Sequence, residues 1–252
     1  MAPMTLGYWD CRGLVQPIRY LLEHVGQEYD YKCYTFGNDI DTMFSSWYSQ
    51  KPTIELDFPN LPYLIDGDIR LTETVAILHH LGRKFELVAQ SDLDQRTQDM
   101  FDGILNDLAS AGTTFYYPDR RSRQYPDDLE AAKNKFNEQY LGPKLEYMNR
   151  WMENKKFIFG ETMHYNDFVM FERLDEHNAA FSGLIAQYSN LSRHHELMLS
   201  QKGVKDLLNS GRSSKAYRAP KAECGLAGYH QIFWNEETRA YVKFPKKELS
   251  RT

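Results

Sequence analysis

The sequence predicts a small α/β unit followed by an all-helical region, and three observations carry this reading. Strand and helix signals alternate over residues 1–84, and from Asp92 onward the apolar residues recur at helical spacing. The turn-forming runs Asn60-Leu61-Pro62 and Asp66-Gly67 cut the first region into segments of strand length.

In chain order, Met4–Trp9 reads as a strand, Val15–Val25 as a helix and Tyr29–Thr35 as a second strand. After a loop come the short strands Tyr63–Ile65 and Ile69–Leu71, then a helix over Glu73–Leu81. Beyond Asp92, Met100, Ile104, Leu108, Ala111 and Phe115 fall on one helical face. A later helix carries Leu129, Ala132, Phe136, Gln139 and Tyr140, and Pro118 and Pro126 bracket the break between the two.

At 252 residues and 42% hydrophobic content the chain is long enough for two modest domains with a proper core. A formal charge of −5 leaves no electrostatic footprint for nucleic acid, and Lys243 to Arg251 reads as a solvated basic tail. No apolar run approaches the ~20 residues of a spanning helix, and no basic-then-apolar leader opens the chain. No membrane partner and a cytoplasmic location are therefore expected. Cys11, Cys33 and Cys224 lack metal spacing and are expected to be reduced thiols, Cys11 a buried structural one, with no metal bound.

The run from Asp57 to Asp68, followed by Leu71 to Ile77, describes a peptide-binding edge beside a helix start. Pro62 just before a strand points to a cis bond, at an edge whose backbone can pair with an extended ligand. The first turn of the next helix attracts a carboxylate, with Thr74 as hydroxyl donor and Glu73 as acceptor for an ammonium group. A γ-glutamyl peptide carries both groups at one end.

Three segments resemble the cytosolic glutathione transferases, and most closely the mu class. They are Met4 to Leu14, with Gly7-Tyr8-Trp9 at its centre; Leu56 to Asp66; and Ser46-Trp47 with Lys51. A gap-free register continues to Asp107 and Tyr117. The resemblance implies a thioredoxin-like glutathione-binding domain over 1–84 and an all-α electrophile-binding domain over 92–218, with a C-terminal extension at 219–252. It also implies glutathione as co-substrate, with small-molecule electrophiles as its partners. Tyr8 is the implied catalytic hydroxyl, stabilising a thiolate whose parent thiol, of pKa ~8.5, is only about 3% ionised at neutral pH.

The resemblance also distributes the ligand contacts. Trp47 and Lys51 go to the glycyl carboxylate, Trp9 and Leu14 to the thiol end, and Asn60, Leu61 and Pro62 to the cysteinyl backbone. Glu73 and Thr74 go to the γ-glutamyl end, joined by Asp107 from the other subunit. Tyr117 is implied as a proton donor to an opening epoxide, with Tyr116 as its rival neighbour. A homodimer is implied through Phe58, His79, Arg83 and Asp99.

Four departures from the family pattern stand out. Phe44 replaces an Arg that helps hold the glycyl carboxylate, which predicts weakened glutathione binding. Asn106, Ser110 and Thr113 replace larger apolar side chains and predict a more polar, roomier cleft. His164 stands where a Ser or Thr caps a buried helix, with Asp167 retained three residues on. Past Arg218 the extension, with aromatic runs on either side of Asn235-Glu236-Glu237-Thr238, is open to a β-hairpin or to disorder. Two other functions share this framework: a non-catalytic ligand binder and a glutathione-dependent isomerase.

Overall fold

The computed structural model describes residues 4–37, 41–117, 129–220, 222, 232–235 and 240–243. They form two compact units, one comprising the chain up to Leu78 together with that from Asp206 on, the other His79–Lys205. The family resemblance implied a helical domain reaching to residue 218. The chain from Asp206 joins the first unit instead, because residues 212–217 are hydrogen-bonded to the loop and helix that follow the first strand.

The first unit is built on a four-stranded sheet ordered β2-β1-β3-β4: β1 (Met4–Trp9), β2 (Tyr29–Tyr34), β3 (Tyr63–Asp66) and β4 (Ile69–Thr72). β1 runs parallel to β2, and β3 is antiparallel to both of its neighbours. The connection from β1 to β2 is α1 (Gln16–Val25), whose Ile18, Leu21 and Leu22 are buried together with Leu6 and Leu64. Pro17 is tolerated in the first turn because no intrahelical N–H is needed there. Gly7 faces the ring of Tyr63 so closely that a Cβ would collide with it. The Leu61–Pro62 bond is cis, as the sequence indicated. Within the run expected to form a ligand-pairing edge, β3 is hydrogen-bonded on both sides, and the backbone outside the ladder is Asn60–Pro62, just ahead of it.

Between β2 and β3 lie α2 (Ser45–Tyr48) and a 3₁₀ turn over Lys51–Thr53. After β4, α3 (Thr74–Lys84) begins in the first unit and its last residues belong to the second. The second unit contains α4 (Asp92–Tyr116), α5 (Leu129–Phe136), a π turn over Asn137–Leu141, α6 (Gly142–Trp151), α7 (Tyr165–Ala180), α8 (Ser189–Ser200) and the start of α9 (Lys202–Asn209). α4 buries Gln98, Phe101, Leu105, Leu108, Gly112 and Tyr116. That stripe lies about one residue round from the expected one, and Met100 is left 49% exposed. Apolar residues occupy two faces of α4, so periodicity could not choose between them. Packing against α7 does: Gly112 abuts His177, and Gln98 is buried because Asn166 (2.7 Å) and the Ala89 amide (3.1 Å) satisfy it.

α7 is the core of this unit, and its start hangs on Asp167. The fully buried carboxylate accepts from the amides of Ile158 and His164, both at 2.9 Å, and meets His194 Nε2 at 3.0 Å. It thus closes one half of a capping box; His164 stands in the capping position of the other half, but its Nδ1 is buried and makes no hydrogen bond there.

No helix among the described residues is long and apolar enough to cross a membrane. In the extension, β5 (Ile232–Asn235) and β6 (Ala240–Lys243) pair antiparallel, so the described part takes the hairpin form. Cys224, the break between Pro118 and Pro126 and most of the basic tail lie outside the described residues.

Burial lowers the His164 pKa, against the weaker opposing pull of the Asp167 and Asp94 carboxylates. Its stabilising contribution is therefore complete above the unfolded value of ~6.5 and is lost as pH falls below it. His164→Thr is expected to raise stability by about 0.5–1 kcal/mol at pH ~7.5, and by more at pH ~5.5, in thermal melts. A melt unchanged at both pH values would refute the vacant cap.

Candidate functional site

The C-terminal end of β1 delivers Tyr8 into a tight turn. Its side chain is buried, and Oη accepts from the Leu14 amide at 3.2 Å. Gly13, at φ 43°, makes this approach possible: a Cβ there would stand 2.7 Å from Oη. Glycine alone among the amino-acid types takes that dihedral freely and leaves room for that contact. Having accepted from Leu14, the hydroxyl directs its own proton away from that nitrogen, and α1 starts three residues after Gly13 with its positive end toward the same turn.

Aromatic side chains wall this region. Trp9 stacks on Phe36 with ring centroids 5.2 Å apart, and Phe44 meets Trp9 edge-on at 5.2 Å. Trp47 is buried, stacked on Tyr63 and edge-on to Tyr34, while Lys51 lies half-buried with Nζ 5.9 Å from the Tyr48 ring. Phe44 thus joins an aromatic cluster and offers no donor.

At the start of α3 the geometry is more unusual. Glu73 has φ 69°, a left-handed conformation rare for a residue with a side chain, and Asn60 Nδ2 donates to its carboxylate at 3.2 Å. Thr74 Oγ1 is sealed from solvent with no hydrogen-bond partner. A buried hydroxyl left unpaired costs about 1–3 kcal/mol. Leu61 and Pro62 are buried, and Asn60 is exposed.

In the second unit, Tyr117 is buried at the end of α4. Tyr116 is more deeply buried, with its hydroxyl 2.5 Å from His177 Nδ1, and is therefore a core residue. Asp107 is exposed and takes Lys144 Nζ at 3.2 Å. Asn106 and Ser110 are exposed and Thr113 is half-buried. His79 Nε2 lies 2.7 Å from Asp102, which also accepts from Tyr165 (2.7 Å) and Asn166 (2.8 Å). Phe58, in the first unit, is 81% exposed.

Two family models match: the glutathione S-transferase N-terminal domain over residues 4–83 and the C-terminal domain over 106–211. A glutathione S-transferase of Dermatophagoides pteronyssinus is 34% identical over 88% of this chain and 97% of its own. The chain belongs to the glutathione S-transferase family. Glutathione S-transferase Mu 1 of Oryctolagus cuniculus is 33% identical over 86% of this chain and 94% of its own. Among solved structures, that of the glutathione S-transferase Blo t 8 superposes with a TM-score of 0.77 at 26% identity, covering 86% of this chain and 98% of the other.

Within this family fold, sequence reasoning did not anticipate Gly13 as the residue that admits Tyr8, nor the part played by residues 212–217. The first had a signal, the glycine between Arg12 and Leu14. The second had none, because backbone pairing across some two hundred positions leaves no local pattern.

Thr74→Val removes the unpaired hydroxyl at nearly constant shape. It is expected to leave thermal stability unchanged or raised by about 1 kcal/mol, and to weaken glutathione binding by about 1–3 kcal/mol in calorimetry. A destabilised variant that bound glutathione normally would make Thr74 a structural residue.

Proposed function

We propose that this protein conjugates glutathione to small electrophiles in the manner of the mu class, with Tyr8 as the thiolate-stabilising residue. The observation that carries the reading is the Tyr8 hydroxyl anchored on the Leu14 amide beneath Gly13. Its proton donates to the glutathione sulfur, and the nearby start of α1 adds a positive potential, so the thiol loses its proton to solvent near neutral pH. The sulfur then attacks the electrophilic carbon. The S–C bond forms as a leaving group departs, or as a ring oxygen opens and takes a proton from Tyr117. No covalent enzyme intermediate is required, so the rate comes from positioning and electrostatics.

Thr74 and the positive-φ Glu73 support the γ-glutamyl end, with Asn60, Leu61 and Pro62 at the cysteinyl backbone and Trp9 and Leu14 near the sulfur. Trp47 and Lys51 take the glycyl carboxylate without help from Phe44. Asp107 serves the ammonium of the other subunit's ligand, in competition with its Lys144 contact. A homodimer is proposed in which the exposed Phe58 inserts into the partner and His79, Arg83 and Asp99 form the polar part of the interface. The setting proposed is the cytoplasm, in keeping with the free thiol of Cys33.

A second reading, storage of planar apolar compounds without turnover, draws on the aromatic wall of Trp9, Phe36 and Phe44. Conjugation of glutathione to a chromogenic aryl halide separates the two. Tyr8→Phe is expected to lower kcat/KM by about 10²-fold while glutathione affinity stays within a factor of a few. Wild-type binding without turnover would favour storage. Phe44→Arg is expected to tighten glutathione binding by about 1–2 kcal/mol through a charge-assisted contact. Calorimetry showing unchanged or weaker binding would remove Phe44 from the glycyl end.

A further inference from the structure

Three consecutive amides of the turn after β1 have assigned acceptors. Leu14 N–H goes to Tyr8 Oη, whereas Arg12 N–H and Gly13 N–H go to the carbonyls of Ala216 and Tyr217, each at 2.8 Å. The turn that presents an amide to the catalytic hydroxyl is therefore held in register by a segment some two hundred residues later. Side chains fasten that segment along α1. Gln16 Nε2 donates to Ser213 Oγ at 2.9 Å, and Arg19 Nη2 donates to the Arg212 carbonyl at 2.8 Å. The Arg12 guanidinium lies 4.0 Å over the Tyr217 ring and donates to Tyr20 at 2.9 Å. At the far end, Arg212 grips Glu23 with two parallel bonds of 2.7 and 2.8 Å.

We propose that residues 212–217 are a strap that sets the hydrogen-bond geometry of the Tyr8 hydroxyl, with Arg212 as a positioning residue for thiolate formation. This rests on the transferase reading above. Gly13 leaves no slack: its backbone is in contact with the phenol ring and donates to the strap in the same peptide unit. A displaced Gly13 carries the Leu14 amide away from Oη. The clamp at Glu23 holds near neutral pH. Burial alone would raise that carboxyl's pKa, but hydrogen bonds from Arg212 and Tyr29 outweigh it and hold it below its ordinary value.

The test uses the full chain as wild type, Arg212→Ala, Arg212→Lys and the milder Glu23→Gln. The readouts are the pKa of bound glutathione from thiolate absorbance, the pH profile of kcat/KM, and amide hydrogen exchange at residues 12–14. Arg212→Ala is expected to speed that exchange, raise the bound-thiol pKa by about 0.5–1 unit and lower kcat/KM about 3–10-fold near neutral pH. The deficit should close at alkaline pH, and glutathione affinity should stay within about twofold. Arg212→Lys should recover part of the loss and Glu23→Gln should show a smaller one, which keeps the test decisive where Arg212→Ala folds poorly. Faster exchange with an unchanged thiol pKa would make the strap purely structural, and unchanged exchange would show that Arg212 does not hold it; either result overturns the proposal. A wild type that binds glutathione without ionising it would overturn the transferase reading first, and the positioning role with it.

Discussion

The close approach of the Tyr8 phenol to the Gly13 backbone is the constraint on which the first unit depends. It fixes the residue type at 13, the direction of the Leu14 amide and the path of the chain into α1. The sheet order serves this contact. β1 is central, flanked by β2 and β3, so Tyr8 leaves a strand that cannot shift without breaking two ladders. Gly7, pressed against Tyr63, prevents the strand from rotating a side chain into that space. The thiolate-stabilising role proposed for this hydroxyl needs such rigidity, since charge stabilisation falls away quickly when donors are misplaced.

The second unit solves a different problem, the burial of polar groups in a helical core. Asp102 gathers His79, Tyr165 and Asn166, and Asn166 passes the network on to Gln98. Asp167 gathers two amides and His194. Each carboxyl group accepts several hydrogen bonds, which satisfies its oxygens in a poorly polarisable interior. These networks tie α4, α7 and α8 together by directional contacts, where apolar packing alone would tolerate slippage. His164 is the weak point, because its cap is incomplete and its nitrogen is buried.

Much of this was legible in the sequence for physical reasons that can be named. The strands of the first unit are short, aromatic and β-branched, and are bounded by Pro and Gly, so their limits fall within a residue or two of expectation. The cis bond at Pro62 followed from local chemistry, and the role of Asp167 from the family resemblance. The buried face of α4 was not legible, because apolar residues line two faces and only α7 decides between them. The place of residues 212–217 was not legible either, because their backbone partners, rather than their side-chain types, determine where they lie.

The first unit is discontinuous in sequence, and this bears on how the protein comes into being. Its amino-terminal part leaves the ribosome early, yet two amides of its central turn have their partners at Ala216 and Tyr217. During synthesis those amides must be satisfied by water, and the whole of the second unit is made before their native acceptors exist. Completion of the turn thus reports that synthesis has passed Tyr217. A chain released early, even one retaining every residue that touches a ligand, would carry an unfinished turn at its centre.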